Sequence, residues 1–113
     1  MSDKFIVNKS FGVLFRLPRI LKTSDLEWLR DYFKKMRRFK KVNFVDFHGI
    51  EKLPVVVLEE LTEQINALAE GGMKTHITRV KPGLKQSLLK ANLSSSVFIV
   101  DRLDERFSHR NRW

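Results

Sequence analysis

Two periods of apolar residues alternate along the chain, and the places where one gives way to the other mark out its elements. Phe5 to Val7 and Gly12 to Leu17 are extended apolar runs parted by Asn8, Lys9 and Ser10, which predicts a β-hairpin, with Pro18 closing its second strand. The period then lengthens to that of a helix. Thr23 or Ser24 is placed to cap it, Asp25 and Glu27 fall in its first turn, and Leu26, Leu29, Phe33 and Met36 form its stripe, with Trp28 and Tyr32 at the margin.

From Val42 to Phe47 the residues are β-branched or aromatic, interrupted by Asn43 and Asp46, so a strand buried on at least one face is expected; His48 and Gly49 break it. Pro54 suits a first helical position, after which Leu58, Leu61, Ile65 and Leu68 recur at helical spacing while Glu59, Glu60, Glu63, Gln64 and Asn66 take the other side. Gly71 and Gly72 predict a left-handed C-cap. Met73 to Val80 alternates as a strand, with Met73, Thr75, Ile77 and Arg79 on one face. Lys81, Pro82 and Gly83 make a turn, Leu84, Leu88 and Leu89 set a short helix ending at Asn92, and Val97 to Val100 is an apolar strand. Asp101 is placed to cap a last helix with Leu103 and Phe107, leaving 108–113 as a polar tail. The predicted order is ββαβαβαβα. A strand feeding a crossover helix into another strand is the βαβ signature, so the expected fold is α/β, a mixed sheet flanked by about four helices.

Size and composition narrow the class. The 113 residues are expected to make one domain spanning 1–113, and an apolar fraction of 42% with nine Phe is enough for a packed core. The chain has no cysteine, which excludes disulfides, thiolate metal sites and thiol nucleophiles. No stretch approaches the roughly 20 apolar residues needed to span a bilayer, and MSDKFIVNKS lacks an apolar run of signal-peptide length, so a soluble, cytoplasmic protein is expected.

The formal charge of +9 raises the question of an anionic partner. Lys34, Lys35, Arg37, Arg38, Lys40 and Lys41 crowd one stretch at a helix end and the next strand start. A helix C-terminus favours cations, which gives part of this cluster a structural reason; a solvated face, an acidic protein partner, and nucleic acid or anionic lipid are the readings open to it. No enzymatic constellation stands out. His48, His76 and His109 fall in a turn, a strand and the tail without metal-ligand spacing, the glycines form no phosphate-binding loop, and Ser94, Ser95 and Ser96 read as a connector. No catalytic residue, metal ligand or cofactor is expected.

The order of elements and the residues filling it resemble a STAS domain, the fold of bacterial anti-sigma factor antagonists and of the cytoplasmic tails of sulfate transporters. The resemblance covers nearly the whole chain and is carried most by its C-terminal half: a crossover helix ending in Gly-Gly, a strand, Val80, Pro82, Leu84, Leu88 and Leu89 in a turn and short helix, then Leu93, the strand VFIV and a helix begun at Asp101. In that family a kinase that is also an anti-sigma factor phosphorylates the first Ser of an Asp-Ser-Ser-Gly-Leu motif at the entry to the crossover helix. The motif falls here on Pro54, Val55, Val56, Val57 and Leu58, and only the leucine survives. Val55 has no hydroxyl, so the usual switch is absent there. Three consecutive helical residues cannot all face a core, so at least one of the valines is expected at the surface or against a partner.

The resemblance implies a non-enzymatic protein-interaction module of bacterial signalling. Its partner would be an anti-sigma factor or kinase-like protein, or a larger regulatory or transporter complex. The family's partner face, carried over by position, is Arg19, Val55, Val56 and Glu59, with Pro18 shaping the loop. The alternative is a nucleic-acid or anionic-lipid binder using the cluster from Lys34 to Lys41.

Overall fold

The computed structural model describes residues 6–9, 12–39, 42–71 and 74–100, the first four by backbone alone. The strands are β1 (Ile6–Lys9), β2 (Gly12–Arg16), β3 (Asn43–Asp46), β4 (Thr75–Thr78) and β5 (Val97–Val100); the helices are α1 (Leu26–Met36), α2 (Val55–Glu70) and α3 (Pro82–Lys90). The expected last helix and the polar tail lie outside the described residues, as do Lys40, Lys41, Gly72, Met73 and His109. Among the described residues three α-helices stand, where about four were expected over the whole chain.

The strands lie in the order β1-β2-β3-β4-β5; β1 runs antiparallel to β2, and β2 to β5 are parallel. Each parallel step moves one place in the same direction, and crossovers of one hand put every helix on the same face. Burial agrees: Val13, Phe15, Val45 and Ile77, inward by alternation, cluster with Leu29, Phe33 and Met36 of α1, Val57, Leu61, Ile65 and Leu68 of α2, and Leu84 and Leu88 of α3. Leu14 and Phe44, of opposite parity, are also fully buried. Register sets Phe44, His76 and Phe98 side by side, and their rings form a ladder with centroids 5.0 and 5.4 Å apart. Gly12 belongs to this packing, since a Cβ there would lie 2.7 Å from both the Phe44 ring and the Val42 carbonyl oxygen.

Tyr32, expected at the core margin, is buried. Trp28 stacks on it at 4.9 Å, Phe15 meets its edge, and its hydroxyl donates to the Arg16 carbonyl at 2.8 Å. Burial pushes the phenol pKa up, opposed in small part by the Arg16 charge. Helices α1 and α2 are tied on their solvent side by Arg30–Glu60 at 3.0 Å and by Arg37 Nη2 donating to Gln64 Oε1 at 3.0 Å; the Arg30 hydrogen bond, with a second from Gln64, holds the Glu60 carboxyl below its ordinary range.

Several local expectations are corrected. The first strand extends through Asn8 and Lys9, which pair with Val13 and Gly12, so these two are not the hairpin turn. Thr23 and Ser24 do not cap α1: with Asp25 they form a 3-10 turn ahead of it, closed by the Lys22 N–H donating to Asp25 Oδ2 at 2.7 Å. Pro54 precedes α2 instead of opening it, and Gly71 ends α2 at φ −74°, so the helix closes without a left-handed residue there. Pro82, expected in a turn, is the first residue of α3. Leu89 is exposed, one residue past the buried Leu88, and β5 is only partly covered because it is the last strand of the sheet.

Candidate functional site

The parallel strands end together, and the loops leaving them, with the start of α2, make the face on which the expected partner residues lie. Of the three consecutive valines, Val57 is buried at 1% exposure while Val55 is 70% and Val56 48% exposed. The reason is helical geometry: successive residues are turned by about 100°, so a core that takes Val57, Leu61, Ile65 and Leu68 must leave Val55 and Val56 outside. Leu58, placed by periodicity in the core stripe, is half-buried at the edge of a groove between α2 and α3 that Val55, Glu59, Thr62 and Lys90 also line.

Arg19 and Pro18 lie on a different part of this face. The loop after β2 carries Arg19 across the turn after β3, where Gly49 has φ 87°; a Cβ on Gly49 would stand 2.9 Å from Arg19 Cγ and 3.0 Å from its Nε. Glycine thus serves twice there, by conformation and by leaving room for the guanidinium stem. Ile20 is next in sequence and 73% exposed. Nothing in the pattern singled it out, because a lone apolar residue after a proline belongs to no period. Val55 and Glu59 line the α2–α3 groove, whereas Arg19 and Ile20 line a cleft with Gly49 and Glu51.

The loop after β4 supplies what sequence reasoning misplaced. Arg79, expected within a strand on the same face as Thr75 and Ile77, follows β4 at φ 54°. That backbone turn brings its guanidinium to the fully buried Asp46, where Nε donates to Oδ1 at 3.0 Å and Nη2 to Oδ2. Thr78 Oγ1 and the His48 N–H donate to the same Oδ1, each at 3.2 Å. The Asp46–His48 contact is therefore a backbone turn closed by a carboxylate, with the imidazole taking no part in it. An acid between Val45 and Phe47 in a strand expected to be buried was the available signal, since such a group requires a partner.

Four residues of the basic cluster, Lys34, Lys35, Arg37 and Arg38, are among the described residues, and all four are exposed. Lys34 and Lys35 lie in the last turn of α1 and Arg37 and Arg38 just beyond it, with Arg37 Nη2 also donating to Gln64 Oε1 of α2. The two apolar residues within the cluster turn inward, Met36 fully buried and Phe39 with its ring 5.7 Å from that of Phe15. Among the described residues no group of three His, Cys, Asp or Glu is close enough to hold a metal, and no helix is long and apolar enough to cross a membrane.

Neither the family models nor the curated proteins contain a match to this sequence. Solved structures do match in shape. An RsbS variant from Moorella thermoacetica has 18% identity over 84% of this chain and 83% of its own, with TM-score 0.65. An anti-sigma-factor antagonist (STAS) domain protein from Planctomyces limnophilus has 12% identity over 86% and 89%, with TM-score 0.67. A chain from the molecular architecture of the stressosome, a signal integration and transduction hub, has 17% identity over 85% and 87%, with TM-score 0.64.

Proposed function

On this chain, which has the STAS fold, we propose a non-enzymatic protein-interaction module whose partner docks at the end of the parallel strands, on Pro18, Arg19, Val55, Val56 and Glu59. The observation that carries the reading is the exposure of Val55 and Val56 in the first turn of a helix whose next residue is buried. Two adjacent β-branched side chains in water are a standing gain for any surface that covers them, about 25 cal/mol per Å² removed from water. Ile20 adds to the apolar part, while Arg19 and Glu59 carry opposite charges that set register. The neighbours in shape include an anti-sigma-factor antagonist and a stressosome component, which favours a regulatory protein as the partner and the bacterial cytoplasm as the compartment. With valine at 55 and 56, the docking face has no hydroxyl there for a kinase to use.

The test is a pull-down from host extract with the wild-type chain and with Val55→Glu, Val56→Glu and Lys34→Glu. A carboxylate in the first turn of α2 meets the positive end of its dipole, so the first two variants keep the fold and the circular dichroism spectrum. They are expected to lose the partner that wild type and Lys34→Glu retain. Retention by Val55→Glu and Val56→Glu, or loss with Lys34→Glu alone, refutes this face.

A further inference from the structure

Register places Arg16, Asp46 and Thr78 side by side at the ends of β2, β3 and β4. Together with Arg19, His48 and Arg79, the first two of these line a cleft of about 390 Å³ that Leu17 and Pro18 also line. The loops leaving the carboxyl ends of β2, β3 and β4 converge here, and the parallel register holds their starting points at one level.

Charge in this cleft does not balance. Three arginines stand against one aspartate among the described residues that line it. That aspartate is already engaged, its Oδ1 accepting from Arg79, Thr78 and the His48 N–H and its Oδ2 from Arg79. Arg79 commits Nε and one Nη2 hydrogen to the pair, while its Nη1 takes no part in it. Arg16 and Arg19 have no side-chain hydrogen bond or ion pair with any described residue. Two guanidinium groups without a described partner, lining one cleft, make it electropositive. The remaining geometry is fixed in advance: Asp46 holds Arg79, and the glycine turn at 49 seats Arg19.

We propose that this cleft binds a phosphomonoester dianion, with Arg16 and Arg19 as its direct ligands and Arg79 completing the wall. A divalent metal ion is excluded by the sign of the lining. A phosphomonoester satisfies it, since its two negative charges match the two uncompensated arginines and its oxygens accept the forked N–H pairs that a guanidinium presents. The volume exceeds that of a phosphate group and leaves room for what carries it, either a phosphorylated side chain or a small organic phosphate. The site requires no protein partner, although Arg19 also belongs to the docking face proposed above.

The experiment is an NMR titration of ¹⁵N-labelled protein at constant ionic strength. Inorganic phosphate and a phosphoserine peptide are the two phosphate probes, and acetate is the control. Saturable shifts are expected at the amides of Arg19, His48, Gly49 and Arg79, with at least fivefold weaker binding in Arg16→Gln and in Arg19→Gln and no saturation with acetate. Arg19→Gln alters an exposed side chain, so it reports even where Arg16→Gln affects folding. A peptide that binds more tightly than inorganic phosphate identifies the source as a phosphorylated chain, and equal affinity identifies a free phosphate. The proposal is overturned by shifts that do not saturate, by shifts centred on Lys34 to Arg38, or by unchanged affinity in both variants. Loss of partner capture in Val55→Glu leaves this titration unaffected, so the two proposals fail separately.

Discussion

Arg79 grips both carboxylate oxygens of Asp46 from a left-handed backbone conformation, φ 54°, that arginine adopts only at a cost of order 1 kcal/mol. The pair offsets that cost because Asp46 is buried, and an ionised carboxylate removed from water is stable only when its oxygens are satisfied.

The ranking of substitutions at this pair follows. Arg79→Ala strands the carboxylate and is expected to lower stability in urea by roughly 2–4 kcal/mol, somewhat below the range for a fully buried pair because the arginine is 31% exposed. Arg79→Gly loses the same contact but relieves the backbone, so it should cost less than Arg79→Ala. Adding Asp46→Asn to Arg79→Ala should recover at least about 1 kcal/mol, the mark of a coupled pair. Additive losses in the double-mutant cycle contradict the coupling.

The buried Tyr32 phenol makes stability sensitive to alkali. Its pKa is raised in the folded chain, so the stability it contributes is fully present below the unfolded value near 10 and is lost as pH rises from there through the folded value. Thermal melts of wild type should therefore decline above about pH 10 more steeply than those of Tyr32→Phe. At neutral pH the phenylalanine variant should be less stable by about 1 kcal/mol, because the Arg16 carbonyl loses its hydroxyl donor. Parallel melts of the two proteins across pH 9–11 contradict this assignment.

Asn43 offers a gain instead of a loss. It opens β3 fully buried on the helix-covered face, and neither its amide nitrogen nor its carbonyl oxygen has a hydrogen-bond partner. Leucine branches at Cγ as asparagine does and puts methyl groups in place of its two polar atoms, so Asn43→Leu should raise stability by about 1–2 kcal/mol in urea. Destabilisation by that substitution would mean that the amide carries a role that burial alone does not reveal.

What the sequence made legible was set by repetition. Leu61, Ile65 and Leu68 in α2 and Leu29, Phe33 and Met36 in α1 recur every three or four residues, and all are buried; the order of strands and helices follows from where such runs stop. The outward placing of two valines could also be argued, since three neighbours cannot share a helical face. Features made by a single residue were not legible. Arg79 continues the alternation of its strand and gives no sign that the chain turns at that point, and Asp25 closes a 3-10 turn that the flanking Thr23 and Ser24 disguise as a cap. Arg79 is far in the chain from Arg16 and Arg19 and shares a cleft with them only because the parallel strands end at one level, which no local pattern encodes.

The monotonic strand order bears on how the chain acquires its structure. Each parallel strand pairs with the one that precedes it by a single helix, Val13 with Asn43, Asn43 with Thr75 and Thr75 with Val97, and no strand must wait for a later one to be inserted beside it. Loop closures of this moderate length carry modest entropic penalties, and none depends on joining distant ends of the chain. Assembly can thus proceed in the direction of synthesis, each strand and helix adding to an edge already formed, with β5 as the last exposed edge among the described strands.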